Sequence, residues 1–216
     1  NTMRYELAIF DLDGTILDTL EDLTDSINYA LQTSGYPTHT NEEVKSFVGN
    51  GIRLLVERAV PKGTELSAVA TVYNNFVMHY QQHCADKTKP YDGIMKLLKN
   101  LHDNGCKLAV VSNKADSAVQ SLCVRYFNDM FDYAVGERQG IAKKPAPDSV
   151  NEVLNHLQTR YEEAVYIGDS EVDIKTAVNA HMDSIIVSWG FRDATFLKEN
   201  GAKTIVSTTD EIEKII

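Results

Sequence analysis

The sequence is most informative at Leu7-Ala8-Ile9-Phe10-Asp11-Leu12-Asp13-Gly14-Thr15, where a short apolar run ends in two carboxylates, a glycine and a hydroxyl. Four apolar residues bounded by charge predict a buried strand, and Gly14 directly behind them indicates a turn. The two aspartates therefore follow the carboxyl end of a strand, which is the edge where open α/β sheets bind ligands. A turn can use one Asp as a cap, so a pair that flanks Leu12 indicates chemistry rather than folding.

The composition describes a globular, acidic chain. Its 216 residues are 43% apolar, which is enough for a large core with an insertion, and the net charge is -10. Nucleic acids and anionic membranes both require a basic face, and no cluster of Lys and Arg supplies one. No apolar run has the length of a membrane span and no secretory signal is present, so we expect a cytoplasmic protein. Cys84, Cys106 and Cys123 lack metal-ligand spacing and are expected to be free thiols.

The second half of the chain predicts a parallel sheet. From Asp92 onward, strand-like and helix-like segments alternate, as they do in sheets with helices on their faces. The strands are predicted at Lys107–Val111, Tyr133–Val135, Ala164–Ile167, Ser184–Val187 and Thr204–Val206. Between Asp18 and about Asp86 helix follows helix, beginning behind a predicted capping pattern of Asp18 and Glu21. The predicted fold class is therefore α/β, a three-layer Rossmann-like parallel sheet core (residues 1–16 and 88–216) with an inserted helical domain (residues 17–87).

Polar side chains follow two further predicted strands. Ser112-Asn113-Lys114 comes after Val111, and Gly168-Asp169-Ser170 comes after Ile167. A hydroxyl, an amide and a carboxylate are thus expected at the same sheet edge as Asp11. Lys114 is interpreted only as closing the turn into the next helix. Asp173 lies one helical turn beyond Asp169 and is expected to orient it.

A dilysine loop, Lys143-Lys144-Pro145-Ala146-Pro147, supplies positive charge before the helix that starts near Asp148. The two prolines stiffen this loop. Adjacent side chains in an extended loop point apart, so only one lysine can face the cleft. Lys144, directly before Pro145, is the predicted phosphate-binding lysine.

This set of residues makes an electrostatic prediction. Three carboxylates are predicted in one cleft, those of Asp11, Asp13 and Asp169. They repel one another, and a hard divalent cation bound by their oxygens would neutralise them. Mg²⁺ suits a site built from one or two carboxylates and a substrate phosphate. The phosphate then requires a cation and neutral donors, which are available from Lys144, Ser112 and Asn113. The nucleophile in such a site is a carboxylate.

At this point the chain resembles the haloacid dehalogenase-like superfamily of phosphotransferases along essentially its whole length. Four motifs carry the resemblance: Asp11-Leu12-Asp13-Gly14-Thr15, Ser112 after its strand, Lys144 in the Lys-Pro-x-Pro loop, and Gly168-Asp169-x-x-x-Asp173. The resemblance implies that Asp11 attacks the phosphoryl group to form an aspartyl-phosphate. It also implies that Asp13 protonates the leaving alcohol and then activates water.

The resemblance further implies a ligand set. Mg²⁺ is expected on the Asp11 carboxylate, the Asp13 backbone carbonyl and Asp169. Ser112 and Lys144 are expected to hold the phosphoryl oxygens. The remaining predicted substrate contacts of this sheet edge are Gly14, Thr15 and Asn113.

The inserted helices resemble the smaller cap domain of this superfamily, which closes over the site and excludes water. Within them, Phe47-Val48-Gly49-Asn50-Gly51-Ile52-Arg53 is similar to the specificity loop of the phosphoglycolate phosphatase branch, and Trp189-Gly190-Phe191 is also similar to that branch. The predicted substrate contacts here are Gly49, Asn50, Gly51 and Arg53. The two glycines permit a turn that brings amides close to a ligand, and Arg53 can meet a carboxylate. The alternative is a solvated Arg53 at a helix N-terminus.

The sequence therefore predicts a Mg²⁺-dependent phosphatase that hydrolyses a small phosphomonoester, with a phosphoglycolate-like substrate. The alternative enzyme is a sugar phosphomutase of the β-phosphoglucomutase type, which shares Asp11, Asp13 and a helical cap. A dehalogenase requires neither Asp13 nor Mg²⁺. The non-enzymatic alternative is a phospho-accepting receiver-like module, whose partner face the inserted helices would block. The expected partner is a small phosphorylated metabolite, and neither nucleic acid nor a membrane is expected to bind. The protein is expected to be a monomer or a homodimer.

Overall fold

The computed structural model describes residues 3–216. Within this range the strands are β1 (Leu7–Phe10), β2 (Leu17–Asp18), β3 (Lys89–Pro90), β4 (Lys107–Ala115), β5 (Tyr133–Glu137), β6 (Ala164–Gly168), β7 (Asp183–Val187) and β8 (Ile205–Val206). The helices are α1 (Leu20–Thr33), α2 (Asn41–Phe47), α3 (Ile52–Ala59), α4 (Leu66–His83), α5 (Ile94–Asp103), α6 (Asp116–Phe127), α7 (Asp148–His156), α8 (Glu171–Asn179), α9 (Ala194–Glu199) and α10 (Thr209–Ile215).

Six of the strands form a parallel sheet in the order β5-β4-β1-β6-β7-β8. β1 lies between β4 and β6, where Leu7 pairs with Lys107 on one side and with Ala164 on the other. All four β1 side chains are completely buried, as expected for a strand whose sheet is covered on both faces. The predicted α/β fold with a Rossmann-like parallel sheet is confirmed, and β1 places Asp11 at the centre of its carboxyl edge.

Strand β4 is longer than predicted. Its pairing with β5 is regular up to Val111, opposite Val135, and the register then shifts before Ala115. The predicted end at Val111 is therefore wrong as a strand boundary, although it marks the end of the regular ladder. The extended backbone continues through Ser112-Asn113-Lys114 at the sheet edge.

The chain divides into two compact units, one with residues 1–17 and 90–216 and the other with residues 18–89. The smaller unit contains helices α1 to α4, and its boundaries fall within β2 and β3, which pair as a two-stranded sheet. The predicted boundaries were 16/17 and 87/88, and residues 1 and 2 lie outside the described residues. The predicted capping pattern of Asp18 and Glu21 is wrong. Asp18 belongs to β2, and Thr19 is the N-cap of α1 without a side-chain capping bond.

A buried carboxylate ties the two ends of the helical unit together. Asp22, in the first turn of α1, is only 2% exposed. It accepts hydrogen bonds from the backbone N–H of Lys87 (2.9 Å) and from the N–H and hydroxyl of Thr88 (2.8 Å each). Hydrogen bonds to a charged acceptor are stronger than neutral ones. The start of α1 is thus fixed to the segment that leads into β3.

The cysteines agree with the expectation of free thiols. Cys84, Cys106 and Cys123 are free thiols. Burial raises the pKa of Cys106 to about 11 and that of Cys123 to about 12, so these two pack as small apolar groups. In the part of the chain that the structure describes, none of the helices combines the length and the apolar character needed to cross a bilayer.

Candidate active site

The turn behind β1 places Asp11 and Asp13 at the sheet edge. Asp11 continues the ladder, because its N–H donates to the Ile167 carbonyl (2.9 Å). Its carboxylate Oδ1 accepts a hydrogen bond from Leu12 N–H (2.8 Å). Gly14 turns the chain with a positive φ of 83°, and a β-carbon at this position would collide with the Asp169 carboxylate. Glycine is therefore required here both for the turn and for the close approach of Asp169.

Lys144 is the central cation of the site and is only 3% exposed. Its ammonium group lies near four oxygens: Asp11 Oδ1 (3.1 Å), Asp173 Oδ1 (3.0 Å), the Tyr166 hydroxyl (2.7 Å) and the Val111 carbonyl (3.1 Å). The Tyr166 hydroxyl in turn donates to Asp173 Oδ1 at 2.6 Å. The choice of Lys144 over Lys143 agrees with this geometry, because the structure buries Lys144 among the carboxylates.

Asn113 holds the loop that carries Lys144. Its side-chain amide donates to the Lys144 carbonyl (3.0 Å), and its Oδ1 accepts from the Lys144 N–H (2.9 Å). The sequence predicted a substrate contact for Asn113, and the structure gives its amide this positioning role. Beside it, Ser112 is buried and its Oγ accepts a hydrogen bond from the Lys114 N–H (3.0 Å).

Asp169, directly after β6, is held through both carboxylate oxygens. The Thr15 hydroxyl donates to Oδ1 and the Phe191 N–H donates to Oδ2, each at 3.0 Å. Thr15 is a predicted substrate contact, and in this structure its completely buried hydroxyl supports Asp169. Asp173 Oδ2 accepts hydrogen bonds from the N–H of Asp169 (2.9 Å) and of Ser170 (3.2 Å). This carboxylate thereby fixes the turn between β6 and α8.

The pKa values of Asp11, Asp169 and Asp173 shift in different directions. Burial, together with the nearby Asp173, raises the pKa of Asp11 well above its ordinary range and that of Asp169 to about 7. Burial acts on Asp173 in the same direction, but Lys144 and Tyr166 outweigh it and keep the pKa of Asp173 below its ordinary value. Lys144, which Asp11 and Asp173 share, supplies a single positive charge against three carboxyl groups.

These carboxylates fit a divalent metal ion. Asp11, Asp169 and Asp173 each offer an oxygen, and the three oxygens lie within 4.8 Å of one another. Two raised pKa values indicate negative charge that the described protein atoms do not balance. Oxygen donors with excess negative charge are what hard cations such as Mg²⁺ require. Asp11 and Asp169 belong to the predicted ligand set, and Asp173 is a further carboxylate in this cluster of side-chain oxygens. The third predicted ligand, the backbone carbonyl of Asp13, is not a side-chain atom and stays a prediction.

Sequence reasoning missed Lys114. Its side chain is only 3% exposed, and its ammonium group forms an ion pair with Asp13 Oδ1 at 3.1 Å. From the sequence it is interpreted only as a residue that closes the turn between a strand and a helix. Its position in the sequence could have revealed it, because Lys114 directly follows Ser112 and Asn113 at the end of a strand. A strand that continues past Val111 brings all three residues to the same sheet edge.

The predicted cap residues all lie in the helical unit. Gly49 and Gly51 have positive φ angles of 124° and 91°, and α3 begins at Ile52 behind them. Arg53 pairs with Glu57 (3.2 Å), and its guanidinium lies 5.7 Å from the centre of the Tyr73 ring. Arg58 donates to the Phe47 carbonyl (2.9 Å) and to Asn50 Oδ1 (3.0 Å), which braces the loop.

Comparison with known proteins assigns the class that this fold and site define. The model of the haloacid dehalogenase-like hydrolase family matches residues 8–187. The chain belongs to this family, and it is an enzyme.

Individual relatives make the comparison more specific. The chain is 35% identical to a phosphoglycolate phosphatase of Psychrobacter arcticus (88% of this chain, 86% of the relative) and 31% identical to one of Agrobacterium fabrum (89% and 84%). Among solved structures, a proposed phosphoglycolate phosphatase from Lactobacillus delbrueckii subsp. bulgaricus is 42% identical, with 99% of each chain covered and a TM-score of 0.94. The predicted resemblance to this family and to its phosphoglycolate phosphatase branch is confirmed.

Proposed function

We propose that this enzyme is a Mg²⁺-dependent phosphatase that hydrolyses a small phosphomonoester through an aspartyl-phosphate on Asp11. One observation carries the proposal. The Asp11 carboxylate is held by Leu12 N–H and by Lys144 while it lies beside the carboxylates of Asp169 and Asp173. A nucleophile in a fixed direction, next to a cation site, is what in-line displacement at phosphorus requires.

In the first step, the Asp11 Oδ2 atom attacks phosphorus and the bond from phosphorus to the ester oxygen breaks. Oδ2 is assigned to this attack because Oδ1 is the oxygen held by Leu12 and Lys144. Asp13 gives its proton to the departing alcohol oxygen. The Lys114 ammonium group, 3.1 Å from Asp13 Oδ1, fixes the direction of this carboxyl group, and the other oxygen, Oδ2, is assigned to carry the proton.

In the second step, water attacks the phosphorus atom of the aspartyl-phosphate. Asp13 takes the proton of that water, the bond from Asp11 to phosphorus breaks, and inorganic phosphate leaves. Lys144 and the Ser112 hydroxyl stabilise the negative charge of the phosphoryl oxygens. Ser112 keeps its own hydrogen to donate, because its Oγ already accepts from Lys114 N–H.

A bound Mg²⁺ supplies charge neutralisation, so that an anionic phosphate can approach an anionic nucleophile. Asp11 and Asp169 are the proposed side-chain ligands, with the Asp13 carbonyl as a third. The hydrogen bonds from Thr15 and Phe191 fix the orientation of Asp169 for this purpose. Asp173 supports the site through Lys144 and the turn behind β6.

Removal of divalent cations is expected to abolish turnover, and added Mg²⁺ is expected to restore it. The Asp169→Asn variant should need at least roughly tenfold more Mg²⁺ for half-maximal rate, because it loses a charged ligand. The measurement is p-nitrophenyl phosphate hydrolysis against free Mg²⁺ in a metal buffer. Asp148→Asn, an exposed carboxylate at the start of α7, is the matched control. An unchanged rate in excess chelator would refute the metal assignment.

The proposed substrate is a small phosphorylated carboxylic acid of the phosphoglycolate kind, in the cytoplasm. The names of the relatives support this substrate. We assign the helical unit the role of a cap, with its specificity contacts at Gly49, Asn50, Gly51 and Arg53. Arg53 would exchange the carboxylate of Glu57 for that of the substrate.

A phosphatase screen tests the proposal as a whole. It compares phosphoglycolate with sugar phosphates, nucleoside monophosphates and pyrophosphate, and it checks sugar products for isomerisation. The highest kcat/KM is expected for phosphoglycolate. The Arg53→Met variant should raise KM for phosphoglycolate and leave KM for p-nitrophenyl phosphate unchanged, since only the former carries a carboxylate. Formation of an isomerised sugar phosphate would instead identify a phosphomutase.

A further inference from the structure

The loop behind β7 supports the proposed metal site, although it belongs to none of the four motifs. The Trp189 indole N–H donates to the Thr15 carbonyl at 3.0 Å. Two residues further on, the Phe191 N–H donates to Asp169 Oδ2. The loop therefore contacts both the turn that follows Asp13 and the carboxylate of Asp169.

Gly190 brings the backbone of this loop unusually close to the site. A β-carbon at Gly190 would collide with the Gly14 carbonyl oxygen and would also lie 2.5 Å from Asp169 Oδ2. Only a residue without a side chain allows this approach. The Phe191 N–H thus reaches Asp169 because the chain on its N-terminal side packs directly against the carboxylate.

An ion pair and a hydrogen bond hold the peptide group that follows Phe191. Arg192 Nε lies 3.1 Å from Glu171 Oε2, and the two side chains are only 12% and 22% exposed. The Arg192 guanidinium also donates to the Phe191 carbonyl at 3.3 Å. Glu171 is the first residue of α8, two positions after Asp169. The pair therefore connects the segment that carries Asp169 with the loop that orients it.

We infer that Arg192 and Glu171 are positioning residues for Asp169, which fix the Phe191 N–H so that the Asp169 carboxylate is oriented before the metal binds. This inference rests on the proposed function, since it assigns Asp169 to Mg²⁺. Partners in the outer shell of a metal site typically change metal affinity by about 10- to 100-fold when they are removed. We expect Arg192→Ala to weaken Mg²⁺ binding by about tenfold.

The direction of this effect separates positioning from simple electrostatics. Removing Arg192 deletes a positive charge and leaves Glu171 uncompensated, so the local field becomes more negative. A field effect alone would strengthen Mg²⁺ binding. A loss of packing alone would lower the melting temperature without changing the Mg²⁺ dependence. Only a role in orienting Asp169 weakens the binding of the cation.

The experiment measures Mg²⁺ binding without turnover. The melting temperature is recorded against Mg²⁺ concentration, because a ligand that binds the folded state raises it by mass action. Trp189 is the single tryptophan and lies at the site, so its fluorescence gives a second binding curve. Arg138→Ala is the matched control, since Arg138 forms a comparable partly buried pair with Glu152 at β5. Arg192→Lys keeps the charge and should show a smaller effect, and Glu171→Gln breaks the pair from the other side.

The expected result is a rise of about tenfold in the Mg²⁺ concentration for half-maximal effect in Arg192→Ala and Glu171→Gln, with no change in Arg138→Ala. If Arg192→Ala does not fold, Arg192→Lys gives the answer, because it keeps the charge and changes only the geometry of the pair. Glu171→Gln is supporting evidence only, since it removes a negative charge and a field effect alone would also weaken Mg²⁺ binding there. Equal or tighter Mg²⁺ binding in these variants would overturn the inference and leave the proposed function intact. A wild-type protein that neither responds to Mg²⁺ nor hydrolyses phosphomonoesters would overturn the proposed function itself.

Discussion

The Asp11→Asn variant is expected to lose at least about four orders of magnitude in kcat for p-nitrophenyl phosphate, because the amide cannot form the covalent intermediate. The fold should survive this change. Burial and the nearby Asp173 raise the pKa of Asp11 well above its ordinary range, so the negative charge of this group adds no stability to the metal-free fold. An unaltered melting temperature without Mg²⁺, measured by circular dichroism, checks that the loss is chemical.

The Asp13→Asn variant is expected to complete the first step, formation of the aspartyl-phosphate, but to be slow in the second step, its hydrolysis. p-Nitrophenolate needs little help from an acid, so the first step proceeds in this variant, whereas the second step lacks its base. Mixing enzyme and substrate rapidly should release about one equivalent of p-nitrophenol per active site, followed by a slow phase. Asp11→Asn should give no burst. A burst in both variants, or turnover by Asp11→Asn near the wild-type rate, would contradict Asp11 as the nucleophile.

Lys144→Ala is expected to remove activity and also to destabilise the protein by roughly 3–5 kcal/mol, the usual result of breaking a buried ion pair from one side. The variant leaves the carboxylates of Asp11 and Asp173 without their shared cation. In a chain of this length the loss corresponds to a decrease in melting temperature of roughly 10 °C. Thermal unfolding and p-nitrophenyl phosphate hydrolysis measure the two effects. Lys143→Ala, at the neighbouring half-buried position, is the control and should change neither by much.

The difference in melting temperature between the wild type and Lys144→Ala should depend on pH in a definite direction. The folded protein holds the pKa of Asp173 below its unfolded value, so the ion pair stabilises the fold above the ordinary Asp pKa of about 3.9. That contribution is lost as the pH falls through the lowered pKa. The gap in melting temperature between wild type and Lys144→Ala should therefore be largest near neutral pH and shrink below about pH 4. A gap that widens in acid would contradict the assignment of this pair.

The predicted site residues that the structure brings together are those whose positions the backbone sets. Asp11, Lys144 and Asp169 follow strands or a proline-stiffened loop, and parallel strands bring their carboxyl ends to one edge whatever the side chains do. The apolar run at residues 7–10 predicted the central strand because a strand covered on both faces has no polar positions.

The sequence could not predict the partners of the polar side chains, because these depend on which donor meets which acceptor in the folded chain. Thr15 and Asn113 have hydroxyl and amide groups that suit a phosphate equally well, and only the folded chain directs them to Asp169 and to the Lys144 backbone. Lys114 is buried against Asp13 because β4 extends beyond its regular ladder. The predicted capping pattern at Asp18 is wrong because this residue belongs to strand β2 and so does not cap the following helix.

The order of the sheet has a consequence for the synthesis of this protein. β1 is made first, yet both of its neighbours come late, with partners that begin at Lys107 and Ala164. Contacts so distant in sequence form slowly, because the chain loses the entropy of closing a long loop before these contacts stabilise it. The sheet edge around Asp11 therefore cannot assemble until β6 and then the loop at Phe191 have been translated. Binding of the proposed Mg²⁺ would thus report that the chain has folded at least as far as Phe191.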